Sequence, residues 1–203
     1  MGCLKLHTEN NYTTLKVVYR AVNTGVLGKQ EEKNNTAFLE VVYNVAQSNG
    51  GVSLLFNGST LSLMDNGNTV FSAPAVSGRP LADGSFDYSV ARQKMGSTGP
   101  IPAGNYNINP QATQWWTSQS FMQRTAAIFD KGTWPGGPIS WGVARTWITP
   151  NGANVYGRSG FTIHGGFEPG SAGCIDLYGR ELDFFRTLQN YGNLNSIPLR
   201  VTY

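Results

Sequence analysis

A histidine and a cysteine lie close together in the stretch FTIHGGFEPGSAGCIDL, residues 161–177. His164 and Cys174 are ten residues apart, and the chain contains only two histidines and two cysteines. A thiol must lose its proton to act as a nucleophile, and a nearby imidazole both lowers its pKa and returns a proton to the leaving group. The two side chains therefore have the types that cysteine acyl transfer requires.

The residues around this pair favour a tight return of the chain. FTI is strand-like and would hold His164 on a rigid edge, while GGFEPGSAG can fold back so that Cys174 faces the imidazole. Ser171, Ala172 and Gly173 are small and leave backbone N–H groups uncovered. Such groups can form an oxyanion hole, in which each donor contributes about 3–4 kcal/mol of transition-state stabilisation.

Spacing alone leaves two other interpretations open. A lone cysteine is often a small buried apolar side chain, and a lone histidine on a strand is often a structural residue. Alternatively, Cys3, His7, His164 and Cys174 supply two Cys and two His, the ligand number of a structural zinc site. Their separation along the chain does not follow zinc-finger spacing, so we expect neither a metal nor another cofactor.

The composition and the turn spacing predict the elements that must hold these side chains. Charged residues make up 13% of the 203 residues and 25 are glycine, which favours short strands and turns over long helices. From residue 48 onward, turn signals such as Asn57-Gly58 and Asn66-Gly67 recur about every eight to twelve residues, as between antiparallel strands. We therefore predict a mainly β fold.

Two segments depart from the strand pattern. Residues 111–148 contain all five tryptophans without a clear period, and we expect a capping insertion whose tryptophans pack internally. Residues 178–188 carry apolar side chains at helical intervals, with Gly192 placed to end a short amphipathic helix. One or two short helices are thus predicted, and the closing IPLRVTY alternates as a strand.

Two motifs resemble the signature of the L,D-transpeptidase (YkuD-like) family. IHGG followed by SAGCIDL is similar to the His-Gly strand and Ser-x-Gly-Cys segment of that family, and GPIPAGNYNI at 99–108 resembles the strand that precedes them. Ala172 stands where most cell-wall members have a second histidine, and Asp176 where Arg or Asn is common. These departures, with the short His-to-Cys loop, are more similar to L,D-transpeptidase effectors exported by the type VI secretion system.

The resemblance implies an L,D-transpeptidase-like β-sandwich that acts on peptidoglycan. Its substrate would be the tetrapeptide stem, cut between the L-centre of meso-diaminopimelate and the terminal D-Ala. Cys174 would be the nucleophile, His164 the general base and acid, and the Gly165 carbonyl the group that orients the imidazole. The N–H groups of Gly173, Cys174 and Ala172 would bind the oxyanion.

Further residues are candidates for substrate contact or for shaping the loop. Arg158 has the fork geometry that binds a carboxylate, and Tyr156 could form a wall of the cleft. Ser171 would orient the loop or donate to the substrate. Asp176 is predicted to point away from the thiol, pairing with Arg180 or capping the following helix, because beside a thiolate it would raise the cysteine pKa.

The resemblance to effectors also implies partners and a place of action. The enzyme would reach the periplasm of a target cell through a specialised secretion system, with a carrier and a cognate immunity protein, and would hydrolyse the stem or exchange its terminal D-Ala for another D-amino acid. Two alternatives stay open: a non-catalytic cell-wall-binding module that uses the Trp-rich segment, and a housekeeping cross-linking L,D-transpeptidase. A papain-like hydrolase would place Cys before His in the chain.

Residues 1–50 are predicted to be a segment separate from a catalytic domain at 51–203. MGCLKL and LKVVYRA are similar to segments flanking Rhs-type polymorphic toxins, which implies a delivery or carrier remnant. No apolar run is long enough for a general-secretion signal or a membrane span. The net charge of +3 without a Lys or Arg run speaks against a nucleic-acid partner.

Overall fold

The computed structural model describes residues 4–9, 12–17 and 51–203. The chain divides into two compact units, Met1–Glu40 and Val41–Tyr203. The predicted boundary near residue 50 and the carrier origin of the first segment stay predictions, and the run AFLEVVYNVA lies outside the described residues.

In the first unit, two strands form an antiparallel pair, and the second of them overlaps the segment LKVVYRA. They are β1 (Leu4–Glu9) and β2 (Tyr12–Val17). Within the described ranges, no helix is both long and apolar enough to cross a membrane.

The second unit is built mainly of short strands, which confirms the predicted fold class. In chain order the strands of residues 51–203 are β3 (Val52–Phe56), β4 (Thr60–Asp65), β5 (Asn68–Pro74), β6 (Val76–Ser77), β7 (Gly104–Ile108), β8 (Gln114–Trp115), β9 (Ala144–Pro150), β10 (Thr162–His164), β11 (Ile175–Asp176) and β12 (Ile197–Val201). Four short helices accompany them where one or two were predicted: α1 (Val90–Gln93), α2 (Phe121–Ile128), α3 (Gly137–Trp141) and α4 (Glu181–Gln189).

These ten strands form one sheet in the order β5-β4-β3-β12-β7-β9-β10-β11-β6, with β8 also paired to β9. The two end strands of this order, β5 and β6, are joined in the chain by the single residue Ala75. Because one residue spans only about 3.5 Å, the sheet must curl until its two edges come together. The predicted sandwich is therefore one nearly closed sheet folded over its own core.

Alternating side chains of the strands and one side of α4 form the core. The buried apolar residues of the central strands and the helix include Leu54, Phe56, Ile108, Leu199, Phe184, Phe185 and Leu188. Burying one such side chain contributes about 1.5–3 kcal/mol. The predicted helix near 178–188 is confirmed as α4, which lies directly after the segment that carries Cys174.

The segment between β7 and β9 holds most of the tryptophans and is packed around Trp134. This ring is 1% exposed and lies 5.8 Å from Trp116 and 6.5 Å from Trp141, measured between ring centroids. Ser120 begins α2 with a capping box to Gln123. The prediction that these tryptophans pack internally is confirmed, and we call residues 109–143 the insertion.

Candidate active site

Strands β10 and β11 run parallel and put two different sets of side chains on their two faces. Ile163 lies opposite Ile175, and His164 lies opposite Asp176. Because side chains alternate along a strand, both isoleucines turn into the core, where they are fully buried. Cys174, one residue before Ile175, therefore lies on the same face as His164.

The Cys174 thiol is free, buried and hydrogen bonded within this face. Thr162 donates its hydroxyl to the sulfur at 3.2 Å, and the thiol lies 3.9 Å from the Gly160 carbonyl. Burial alone would raise the pKa of the Cys174 thiol, but the hydrogen bond and charge of His164, with the hydrogen bond from Thr162, lower it below its ordinary value. The site therefore favours the thiolate.

The His164 imidazole is held between the thiol and a backbone carbonyl. Burial alone would lower its pKa, but the hydrogen bond with Cys174 and the negative charges of Cys174 and Asp176 raise the pKa above its ordinary value. Nδ1 hydrogen bonds to the Gly165 carbonyl, which leaves Nε2 for the thiol. The structure thus brings Cys174, His164 and the Gly165 carbonyl together, and their opposite pKa shifts favour a thiolate–imidazolium pair.

Gly165 has to be a glycine because a carboxylate packs against it. A Cβ added at Gly165 would collide with the Glu181 side chain, and one at Gly142 would lie 2.7 Å from the same carboxylate. Glu181 is buried, and its Oε2 has no hydrogen-bond partner among the described residues. The backbone that orients the imidazole is therefore packed between the sheet and the first turn of α4.

Asp176 is buried on the face that carries His164, and it accepts hydrogen bonds from the backbone on both sides of Cys174. Its carboxylate accepts the N–H groups of Gly170 at 3.0 Å and Tyr178 at 2.9 Å. The predicted pairing with Arg180 is wrong, since Arg180 pairs with Asp183 at 3.2 Å. The predicted capping role is also wrong, because Arg180 itself occupies the N-cap position of α4 and no side chain caps it.

The charge of Asp176 acts on the imidazole. Burial raises the pKa of Asp176, and the charge of His164 partly opposes this rise. The sequence analysis expected a nearby Asp176 to raise the pKa of the thiol. In the structure, the charge of Asp176 raises the pKa of His164 and so stabilises the imidazolium. An acidic residue two positions after the cysteine is consistent with the thiolate–imidazolium pair.

Arg158 was predicted to bind a substrate carboxylate, but its hydrogen bonds favour a positioning role. Nη1 donates to the carbonyls of Gln93 at 2.6 Å and Pro100 at 2.5 Å, and Nη2 donates to the Gly99 carbonyl at 2.8 Å. A Cβ at Gly173, whose φ is +119°, would collide with Nη2. Arg158 therefore fastens the GPIP segment against the residue that precedes Cys174.

Of the loop residues before the thiol, Ser171 and Gly173 form hydrogen bonds within the loop, whereas Ala172 does not. Ser171 donates its hydroxyl to the Cys174 carbonyl at 2.6 Å and accepts the Gly173 N–H at 3.3 Å, so it orients the loop. Ala172 is exposed, and no hydrogen bond of the described residues uses its N–H. Of the two oxyanion donors predicted in the loop, Ala172 is thus the one left open.

Tyr156 is an exposed residue whose described contacts do not include a hydrogen bond to the thiol or the imidazole. Its side chain is exposed, its φ is +53°, and the Lys94 ammonium lies 5.5 Å from the centre of its ring. Among the described hydrogen bonds, none joins Tyr156 to Cys174 or His164. Its predicted role as a cleft wall stays a prediction.

Arg145 is a site residue that the sequence analysis missed. It lies on β9 opposite His164, and hence on the same face as Cys174. Its Nε donates to the Gln114 side chain at 2.8 Å. Burial lowers the pKa of Arg145, and the negative charge of Cys174 partly offsets this shift. The available signal was a charged residue within the mainly apolar run VARTWI.

Three tryptophans surround the Arg145 guanidinium. Its carbon lies 4.7 Å from the ring centroids of Trp134 and Trp141 and 5.2 Å from that of Trp147. The Trp141 ring also lies 5.1 Å from the His164 imidazole. The insertion therefore forms a wall of the site.

No three His, Cys, Asp or Glu side chains among the described residues are placed to hold a metal ion. Cys3 and the side chain of His7, which the zinc interpretation requires, lie outside the described part of the structure. The expectation of no metal therefore stays a prediction.

A buried thiol–imidazole pair on a nearly closed sheet is the arrangement of a cysteine nucleophile with its general base. Residues 83–201, which include both members of this pair, match the model of the Tlde1 domain. The match covers more than half of the chain, and the chain belongs to this family of type VI secretion effectors, which is associated with L,D-transpeptidase activity. No curated protein matches the sequence.

Proposed function

We propose that the protein is an antibacterial effector that acts on peptidoglycan tetrapeptide stems by cysteine acyl transfer. The observation that carries this proposal is the buried pair of Cys174 and His164, whose pKa values shift in opposite directions. Membership of the Tlde1 family supports the type VI route and the cell-wall substrate. The bond acted on lies between the L-centre of meso-diaminopimelate and the terminal D-Ala, as in YkuD-like L,D-transpeptidases.

In the first half of the reaction, the Cys174 thiolate attacks the diaminopimelate carbonyl. The N–H groups of Ala172 and Cys174 bind the oxyanion of the tetrahedral intermediate. His164 donates its proton from Nε2 to the leaving amine of D-Ala, so that a thioester forms and the amide bond breaks. The Gly165 carbonyl accepts a hydrogen bond from the Nδ1–H group throughout the reaction, which keeps the proton on Nδ1.

In the second half, an acceptor attacks the thioester carbonyl and gives up a proton to His164, and the C–S bond breaks to release the Cys174 thiolate. Water as the acceptor gives L,D-carboxypeptidase activity, and a D-amino acid gives exchange of the terminal residue. Both reactions remove tetrapeptides from use in cross-linking and so weaken the wall of a neighbouring cell. A secretion carrier and a cognate immunity protein are the macromolecular partners of this function.

A non-catalytic binding module is the second candidate, and the packing of the tryptophans speaks against it. Trp134 is fully buried and packs against Trp116 and Trp141 with tilted rings, so these three side chains offer little surface to a glycan. Trp147 alone among the five is strongly exposed in residues 51–203, with 41% of its surface accessible. The third alternative, a housekeeping cross-linking enzyme, differs in its acceptor, which is another stem peptide.

Analysis of digested peptidoglycan by mass spectrometry tests the proposal. The purified protein is incubated with tetrapeptide muropeptides, with and without an added D-amino acid. We expect loss of the terminal D-Ala or its replacement by the added amino acid, and neither change with the Cys174→Ala variant. Tetrapeptides left intact by the wild-type protein, or equal conversion by both proteins, would contradict the proposal.

A further inference from the structure

We propose that Arg145 binds a carboxylate of the substrate beside the Cys174 thiol. This inference rests on the proposed acyl-transfer function and names the group that the site recognises. It gives the carboxylate-binding role, predicted for Arg158 in the loop between β9 and β10, to an arginine on β9.

The register of the sheet places Arg145 on the reactive face. Arg145 lies opposite His164 on β9, and Cys174 lies on the far side of His164, at the start of β11. Neighbouring strands are about 4.8 Å apart, so the backbones of β9 and β11 are separated by about 10 Å. The Arg145 guanidinium and the Cys174 thiol therefore lie on the same face, on opposite sides of His164.

Arg145, which is buried, and Arg158, which is half-buried, differ in how their donors are used. Arg158 donates hydrogen bonds from Nη1 and Nη2 to three backbone carbonyls. Arg145 donates only through Nε, to Gln114, and no hydrogen bond of the described residues uses its Nη1 or Nη2. These two nitrogens are the parallel donors with which an arginine binds a carboxylate in bidentate fashion.

No carboxylate of the described residues pairs with the Arg145 guanidinium. Arg145 is 3% exposed, yet none of its nitrogens is a fully enclosed atom without a partner, so Nη1 and Nη2 keep some access to solvent. The Cys174 thiolate acts on Arg145 through its charge but accepts no hydrogen bond from it among the described residues, and Trp134 and Trp141 contact the guanidinium by cation–π interactions. A buried cation without a hydrogen-bonded anion is costly. A substrate carboxylate would complete the pair.

The alkylation of Cys174 measures this recognition without any turnover. Iodoacetate and iodoacetamide react with the same thiolate and differ in that the first carries a carboxylate. We expect the ratio of their rates to fall on the order of tenfold in Arg145→Gln, as expected for loss of a charge-assisted hydrogen bond. Arg145→Lys, which keeps the charge and loses the fork, should give an intermediate ratio.

Arg180→Gln is the matched control, because it removes the same charge from an exposed position outside the site. Its ratio should equal that of the wild type. Tryptophan fluorescence checks that each variant keeps its packed insertion, and Arg145→Lys serves as the test if Arg145→Gln does not fold. A ratio that is unchanged in a folded Arg145 variant overturns the inference.

The tetrapeptide stem offers two carboxylates, on D-Ala and on the side chain of diaminopimelate. Synthetic stems amidated at one or the other position identify which of them Arg145 binds, since amidation of the correct group should lower kcat/KM in the wild type, lower it less in Arg145→Lys and have no further effect in Arg145→Gln. A wild-type protein that leaves stems intact but shows an Arg145-dependent ratio contradicts the proposed function alone. An active protein with an Arg145-independent ratio contradicts this inference alone.

Discussion

The strand pair β10–β11 and the insertion contribute to the same site in different ways. In the strand pair, hydrogen-bonded register fixes His164 beside the segment that carries Cys174, and Ile163 and Ile175 hold the opposite face in the core. In the insertion, irregular packing of aromatic rings holds the Arg145 guanidinium. The sheet therefore positions the candidate thiol–imidazole pair, and side-chain packing positions the guanidinium beside it.

The outer surfaces of the two regions differ as well. The strand pair is buried throughout its short length. The insertion, in contrast, exposes large apolar side chains on α2, with Phe121 at 83% and Ile128 at 80% accessibility. Substitutions in the strand pair should therefore change the chemistry of the thiol, and substitutions inside the insertion should change stability and substrate recognition.

The largest effect on chemistry is expected for His164→Gln. Loss of the general base should lower turnover of tetrapeptide stems by about 10²- to 10⁴-fold. Because His164 holds the pKa of the Cys174 thiol below its ordinary value, the variant should also move the pH midpoint of iodoacetamide alkylation upward. An unchanged midpoint would mean that the pair does not interact.

Trp134→Ala should mainly affect stability. Removing this fully buried ring should lower the free energy of unfolding by about 3–5 kcal/mol, because a cavity opens among the tryptophans and the guanidinium loses a contact. Urea denaturation measures the change, and Phe129→Ala in the same segment is the control, with an expected change below about 0.5 kcal/mol. A shift in the pH midpoint of alkylation in a folded Trp134→Ala protein would contradict the claim that the insertion affects stability and not the chemistry of the thiol.

Gly165→Ala tests the packing behind the imidazole. The added methyl group collides with the Glu181 side chain, so we expect a loss of about 1–3 kcal/mol in the free energy of unfolding and reduced turnover. The double variant Gly165→Ala/Glu181→Ala removes the collision and should recover most of both losses. Equal destabilisation in the single and double variants would show that Glu181 is not the obstacle.

The smallest effect is expected for Asp176→Asn. The carboxylate raises the pKa of His164, so its removal should lower that pKa and shift the high-pH limb of stem turnover toward lower pH. Below that limb, turnover should change only a few-fold, since the amide oxygen can still accept a backbone N–H. A limb that stays in place would show that the charge of Asp176 does not reach the imidazole.

The reactive pair could be predicted from the sequence because it depends on local chain features. FTIH alternates as a strand, and the small residues before Cys174 leave a path for the chain to return. The helix α4 could be predicted for the same reason, since its apolar spacing is local. The amino acids that carry this information lie within about thirty residues of one another.

Arg145 and the contacts of Asp176 could not be predicted, because they depend on pairing between distant parts of the chain. Only the register of β9 against β10 puts Arg145 opposite His164. Likewise, the path of the loop decides that Asp176 accepts the Gly170 N–H rather than meeting Arg180. The helices α2 and α3 were missed because residues 121–141 carry no sustained apolar period.

Covalent labelling by a carbapenem tests most directly the claim that Cys174 is an acyl acceptor activated by His164. A carbapenem contains a strained amide that acylates a thiolate, and the adduct is detected as a shift in the intact mass of the protein. We predict an adduct on the wild-type protein, slower labelling of His164→Gln and none of Cys174→Ala. An unlabelled wild-type protein, or equal labelling of Cys174→Ala, would contradict the claim.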